Sequence, residues 1–147
     1  MASWTSICCP VDFSETSRVA LEEAAELSRR YQAKLSLLHV FEPPGATAEL
    51  MVSPPDFIEQ TTKDLERKLE LWKAEAERYG ATPVRALVAT GAPATEIVRF
   101  ALTAGCDLVV MGTHGRRGLQ HLVLGSVAER VVREAPCAVL VVRPHSR

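Results

Sequence analysis

Five short apolar runs alternate with four longer segments of helical periodicity, and that alternation limits this chain to very few folds. The runs are Ser6–Val11, Lys34–Val40, Pro83–Ala89, Leu108–Met111 and Ala138–Val142. Each is short, apolar and bounded by turn residues, as strands covered on both faces are. Between them, a helix opening at Asp12 or Ser14 reaches about Tyr31, with Val19, Ala20, Leu21, Ala24 and Leu27 as its core stripe. A charged helix runs from an Asp56–Glu59 capping box to about Tyr79, with Leu65, Leu69 and Trp72 facing inward. Gly80 stops it. A third begins after Gly91 and Ala92 with Pro93 in its first turn and ends at Ala104 and Gly105. The last opens at Gly125–Ser126. Strand–helix alternation of this kind gives an α/β, doubly wound, five-stranded parallel sheet with helices on both faces and right-handed crossovers. With 147 residues, no repeat and no low-complexity tail, residues 1–147 are expected to form a single domain.

The stretch Val109–Glu134 holds most of the chemistry. A strand stops at Gly112, Gly115 and Gly118 follow, and Gly125–Ser126 opens the final helix. Gly112 and Gly115 lack a Cβ, so their backbone is free to take positive φ and to approach a ligand closely. Ser126 is a favourable N-cap, and Glu129 three residues later completes a capping-box pattern. The first helical turn then offers unpaired N–H groups and a positive dipole end to an anion, with Arg116 and Arg117 adding charge beside it. The same features also occur in α/β loops that hold no ligand. Two phosphate motifs are excluded: a P-loop needs a Gly-Lys-Ser/Thr that is missing, and a Rossmann fingerprint needs G-x-G-x-x-G rather than G-x-x-G-x-x-G.

The ligand-suited residues cluster at two strand ends, Pro10 and Asp12 after the first and Gly112 and Gly115 after the fourth. Ligands of open α/β sheets bind beyond strand C-termini where strand order reverses. If one ligand uses both ends, strands one and four are neighbours. That favours the order 3-2-1-4-5 over 2-1-3-4-5.

Gly112, Gly115, Gly125 and Ser126 fit G-x2-G-x9-G-S without a gap, and the chain carries P-V-D-F-S at 10–14 and A-P-C-A-V-L-V-V-R at 135–143. In these features it resembles the ATP-binding branch of the universal stress protein family over nearly its whole length. The resemblance implies the 3-2-1-4-5 sheet and a nucleotide lying across the ends of strands one, two and four. It implies Pro10, Asp12 and Val40 around the adenine, and Met111 and Gly112 near base and ribose. Gly115, Gly125, Ser126 and Val127 would surround the ribose and phosphates. ATP, or ADP or AMP, is the implied cofactor, with Mg2+ or Mn2+ entering through the phosphates. On their own residue types, Asp12 reads equally as a helix cap, Val40 and Met111 as core, and His114 and His121 as solvated loop histidines.

A phosphoryl-transfer enzyme should show a metal-holding carboxylate, a positioned base and cations on the transferring group. Only Asp12 is an acid at the expected place, and the resemblance sets it at the base end. A nucleotide-binding module with at most weak ATPase activity is therefore expected, acting in stress response or signalling through an unidentified protein partner. The alternatives are a dimeric interaction module that works empty, and an enzyme of the related adenine-nucleotide α-hydrolase folds. The latter need an S-G-G-x-D-S loop or an H-x-G-H motif, and the sequence has neither. The final strand, Ala138–Val142, would be an exposed apolar edge, so a homodimer through it is expected.

Net charge is −1 with the signs interspersed, giving no footprint for nucleic acid or membrane. No signal segment or long apolar run is apparent, so a cytoplasmic protein is expected. Cys8 and Cys9 should point to opposite faces of a strand, while Cys106 and Cys137 lack a C-x-x-C partner; all four read as reduced, packed thiols. Residues 41–55, with four prolines and Gly45, read as a long loop that nucleotide binding would order together with residues 115–125.

Overall fold

The computed structural model describes residues 3–43, 56–114 and 124–144. The elements follow in strict alternation: β1 (Ser6–Pro10), α1 (Glu15–Tyr31), β2 (Lys34–Phe41), α2 (Phe57–Arg78), β3 (Val84–Thr90), α3 (Pro93–Thr103), β4 (Leu108–Gly112), α4 (Ser126–Glu134) and β5 (Ala138–Val142). All strand pairs are parallel and the order is β3-β2-β1-β4-β5, as the placement of ligand-suited residues requires.

Two apolar layers sandwich the sheet. Ala20, Leu21, Ala24 and Ala25 of α1 join Leu69, Trp72 and Ala76 of α2 over Ile7, Cys9, Leu35, Leu37 and Val110. Ala94, Ile97 and Ala101 of α3 join Ala128 and Val131 of α4 over Cys8, Leu38, Val109 and Met111. Successive strand residues alternate between the layers, as the pleat dictates. The expected stripe of α1 is accurate at Ala20, Leu21 and Ala24, while Thr16, Ser17, Ala25 and Ser28 are also buried.

Capping departs from expectation at α2. Asp56 precedes the helix with φ −98° and ψ 6° and makes no side-chain cap bond. Its carboxylate instead accepts from Gln60 Nε2 at 2.7 Å, and Glu59 pairs with Lys63 one turn on. Both acids find partners along the helix, so no reciprocal box forms. Gly80 and Gly105, at φ 101° and 65°, follow the ends of α2 and α3 as read from the sequence.

The cysteines are free thiols, and Cys8 and Cys9 do face opposite layers. Burial pushes the Cys9 thiol up to about 12, against an ordinary value of 9.0. The folded state therefore holds a proton that the unfolded chain releases above pH 9. The associated stability is intact below pH 9 and is lost as pH climbs from 9 toward 12. In urea melts, Cys9→Val should reduce the stability lost between pH 9 and 10 by about 1 kcal/mol. An alkaline limb identical to the parent's would show that the Cys9 thiol ionises normally.

Candidate functional site

The sheet parts at its C-terminal edge between β1 and β4. Their described pairing runs only through Ile7↔Leu108 and Cys8↔Val109, whereas β1–β2 continues to Pro10↔Leu38 and β4–β5 to Gly112↔Val142. Beyond Cys8 and Val109 the two strands no longer pair, and a cleft opens at the point where strand order reverses. Pro10, which has no N–H to donate, lies at the end of β1.

On the β1 side, the turn into α1 is tightly organised. Ser14 caps the helix, its Oγ accepting from Ser17 N at 3.1 Å. The carboxylate of Asp12 accepts from Ser14 N at 3.0 Å and from Ser17 Oγ at 2.6 Å, and Asp12 N donates to Ser17 Oγ at 2.9 Å. Of the two candidate caps, Ser14 is the cap and Asp12 braces it. Phe13, between them, sits at φ 65°, a conformation that a bulky residue rarely adopts. Its ring packs 4.6 Å from that of His39 and 5.3 Å from that of Trp72, which holds it there. The sequence carries no sign of this strain, since only long-range packing creates it.

On the β4 side, the floor of the cleft is Gly112, Thr113 and His114. Thr113 N donates to Val142 O at 3.0 Å, and Gly125 N donates to Thr113 O at 2.6 Å, which clasps the start of α4 to the end of β4. Neither Gly112 nor Gly125 uses a positive φ, the freedom expected of Gly112. Gly112 is not among the positive-φ residues, and Gly125 has φ −65°. Each is instead crowded by protein. A Cβ on Gly112 would run into Thr16 Cγ2 of α1, and one on Gly125 would come within 3.1 Å of Thr113 O and His114 Cα.

The α4 capping box is also corrected. Gly125, extended at ψ 159°, is the N-cap; its carbonyl accepts from Glu129 N at 2.8 Å, and Ser126 is the first helical residue. The Glu129 carboxylate turns along the helix to Arg133 Nη1 at 2.6 Å. No side chain among the described residues caps the first turn, so its N–H groups stay directed out of the helix end, with the exposed Ser126 hydroxyl beside them.

Val40, Met111, Leu124 and Val127 belong to the same apolar cluster on the α3–α4 layer. They join the end of β2, the end of β4 and the start of α4 into one apolar wall. His114 is not a solvated loop residue. It is half-buried, with Nδ1 3.1 Å from Thr113 Oγ1 and Nε2 3.5 Å from Thr16 Oγ1, so it ties β4 to α1. Thr16 was invisible as a site residue because its role depends on a contact 98 positions along the chain. Of the expected positions, Pro10, Asp12, Val40, Met111, Gly112, Gly125, Ser126 and Val127 are described and lie at the C-terminal ends of β1, β2 and β4 or the first turn of α4. Gly115, Arg116, Arg117, His121 and most of the 41–55 loop lie outside the described residues. No helix among the described residues is long and apolar enough to cross a membrane, and no three His, Cys, Asp or Glu side chains among them converge on a metal position.

The comparisons with known proteins agree with this fold. Universal stress protein MJ0531 of Methanocaldococcus jannaschii is 33% identical over 141 residues, spanning 95% of this chain and 82% of that protein. The structure of protein MJ0577 superposes with a TM-score of 0.84 at 30% identity, covering 99% of this chain and 100% of the other. Two more distant structures share the fold. A universal stress protein in complex with cAMP has 23% identity and a TM-score of 0.73, covering 96% and 98% of the two chains. An Arabidopsis thaliana family member with AMP bound has 22% identity and a TM-score of 0.66, covering 97% and 93%. The sequence model of the universal stress protein family matches residues 3–143, which include every element of the parted sheet and its cleft, and the chain belongs to that family.

Proposed function

We propose that the cleft between the ends of β1 and β4 binds an adenine nucleotide, ATP above all, and that the protein acts as a nucleotide-dependent stress-response module. One observation carries this reading: the Gly125–Thr113 clasp holds the uncapped first turn of α4 over the place where β1 and β4 part. A helix start of this kind favours phosphate oxygens through its free N–H groups and dipole. The wall of Val40, Met111 and Val127 is apolar, as an adenine ring requires. Asp12 lies at the opposite lip, its carboxylate engaged with the α1 turn. The relatives that bind cAMP and AMP support an adenine ligand.

A divalent ion, Mg2+ or Mn2+, would enter with the phosphates, whose oxygens are the hard ligands such ions take. Hydrolysis is proposed to be at most slow, because the acid at the cleft, Asp12, has its carboxylate engaged with the α1 turn. Mass spectrometry of the small molecules released on heat denaturation of purified protein should find ATP, ADP or AMP in near-stoichiometric amount. Release of no adenine nucleotide, from protein that also fails to take any up, would instead favour an interaction module that works empty.

A homodimer through β5 forms part of this reading. β5 is a sheet edge, and Leu140 on it remains 37% exposed, an arrangement that a second copy would cover.

A further inference from the structure

A cavity of about 210 Å³ lies at the opposite, N-terminal edge of the sheet, under the end of α3. It is lined by Ser6 of β1, Lys34 and Ser36 of β2, Arg85 of β3 and Ala104 after α3. The register Ser6↔Lys34 and Ser36↔Arg85 brings these polar residues together, with Lys34 and Ser36 two apart on one face of β2. Polar residues inside strands covered on both faces are unusual, and Ser36 is 3% exposed.

Nine Lys and Arg residues among those described are paired with a carboxylate; Lys34 and Arg85 are among the five that are not, and they are the two charged residues that line this cavity. Arg85 is held rather than loose: its Nε donates to Ser36 Oγ at 3.0 Å, and its guanidinium lies 5.5 Å from the ring centre of Phe100. That geometry commits one edge of the fork and leaves the two terminal nitrogens for a ligand.

We propose that this cavity binds a small oxyanion, a carboxylate or phosphate, between the Arg85 guanidinium and the Lys34 ammonium, with the serine hydroxyls completing its hydrogen bonds. A planar guanidinium fixed on one edge matches such an anion, and charge-assisted bonds of this type are the strong ones. The volume has room for an anion of phosphate or succinate size. Three groups nearby oppose it, one of them the Cys106 thiol, which is lowered to about 7 by its hydrogen bond with Cys8 and also by the Arg85 charge. The C-terminal end of α3 carries about half a negative charge, less than the two cations supply. The Asp107 carboxylate is turned to Thr5 N, Thr5 Oγ1 and Ser6 N, which hold it at 2.7–3.2 Å. Among the residues lining the cavity, Lys34 and Arg85 are the charged ones.

Cys106 provides an internal reporter. Its buried thiol accepts from Ser6 Oγ at 3.8 Å and is brought down to about 7, first by the hydrogen bond from Cys8 and also by the Arg85 charge. An anion seated on Arg85 offsets that charge, raises the Cys106 pKa and slows its alkylation.

The test is a titration with inorganic phosphate and, separately, succinate at constant ionic strength, followed through the backbone amides of Ser6, Ser36, Arg85 and Ala104. At least one anion should give saturable shifts there with a dissociation constant of about 1 mM. Arg85→Gln should weaken it roughly tenfold, and Lys34→Gln, at an exposed position, about threefold. Shifts at Gly125 and Ser126 report separately on phosphate in the nucleotide cleft and should not change in either variant. Response to phosphate alone or succinate alone identifies the source of the oxyanion. Non-saturating shifts at the cavity, or shifts unaffected by both substitutions, would overturn the proposal.

Discussion

Gly112→Ala should destabilise the protein by about 2 kcal/mol or more in urea melts, although it adds a single methyl group at a site that is only half buried. The added Cβ has nowhere to go. It would overlap Thr16 Cγ2 and lie 3.2 Å from the Thr16 carbonyl oxygen, and that oxygen belongs to the backbone of α1. Relief therefore requires α1 and the end of β4 to separate, and His114, which reaches Thr16 Oγ1 from the same end of β4, would move with them. Thr16→Ser removes the offending methyl and keeps the hydroxyl. In that background Gly112→Ala should recover roughly half of the loss, a coupling expected only of residues in contact. A full loss that Thr16→Ser leaves unchanged would place the strain elsewhere.

Gly125→Val should lower ATP affinity at least tenfold, about 1.4 kcal/mol, in a protein that still folds. The sequence suggests that a side chain here would block the phosphates directly. The structure gives a second cause acting in the same direction. Even a Cβ would press to 3.1 Å on Thr113 O and His114 Cα, and valine adds two more methyls. The 2.6 Å Gly125–Thr113 clasp would open, and the α4 helix start would swing off the cleft. Gly125→Ala, which meets the same atoms with less bulk, should show a smaller loss of affinity. Unchanged ATP affinity in a folded Gly125→Val protein would mean that the phosphates do not lie on α4.

The two glycines show where sequence reading works here and where it stops. That Gly112 and Gly125 matter follows from their places at a strand end and a helix start. Why they matter does not, because the crowding atoms belong to Thr16, 96 positions away, in one case and to Thr113 and His114 in the other. All nine elements are read from the sequence to within a residue or two, because every strand is an apolar run and every helix has an amphipathic stripe. The sheet order is legible through the demand that Pro10–Asp12 and the glycine loop share a ligand. Capping is legible only in part. Ser14, one of two candidates, caps α1, whereas Asp56 and Ser126 each had a competing local partner or position that the motif does not reveal. Juxtapositions set by register are the least visible. Cys106 meets Ser6 and Cys8 only because β1 pairs with β4, and Arg85 meets Ser36 only because β2 pairs with β3.

The nucleotide reading rests on the parted strands and the clasped helix start acting on one ligand. Titration calorimetry of nucleotide-free protein with ATP and Mg2+ measures that directly. One ATP per chain with a dissociation constant in the micromolar range, about −8 kcal/mol, is the predicted result. No detectable binding at millimolar ATP would contradict it and leave the cleft a structural feature of the sheet.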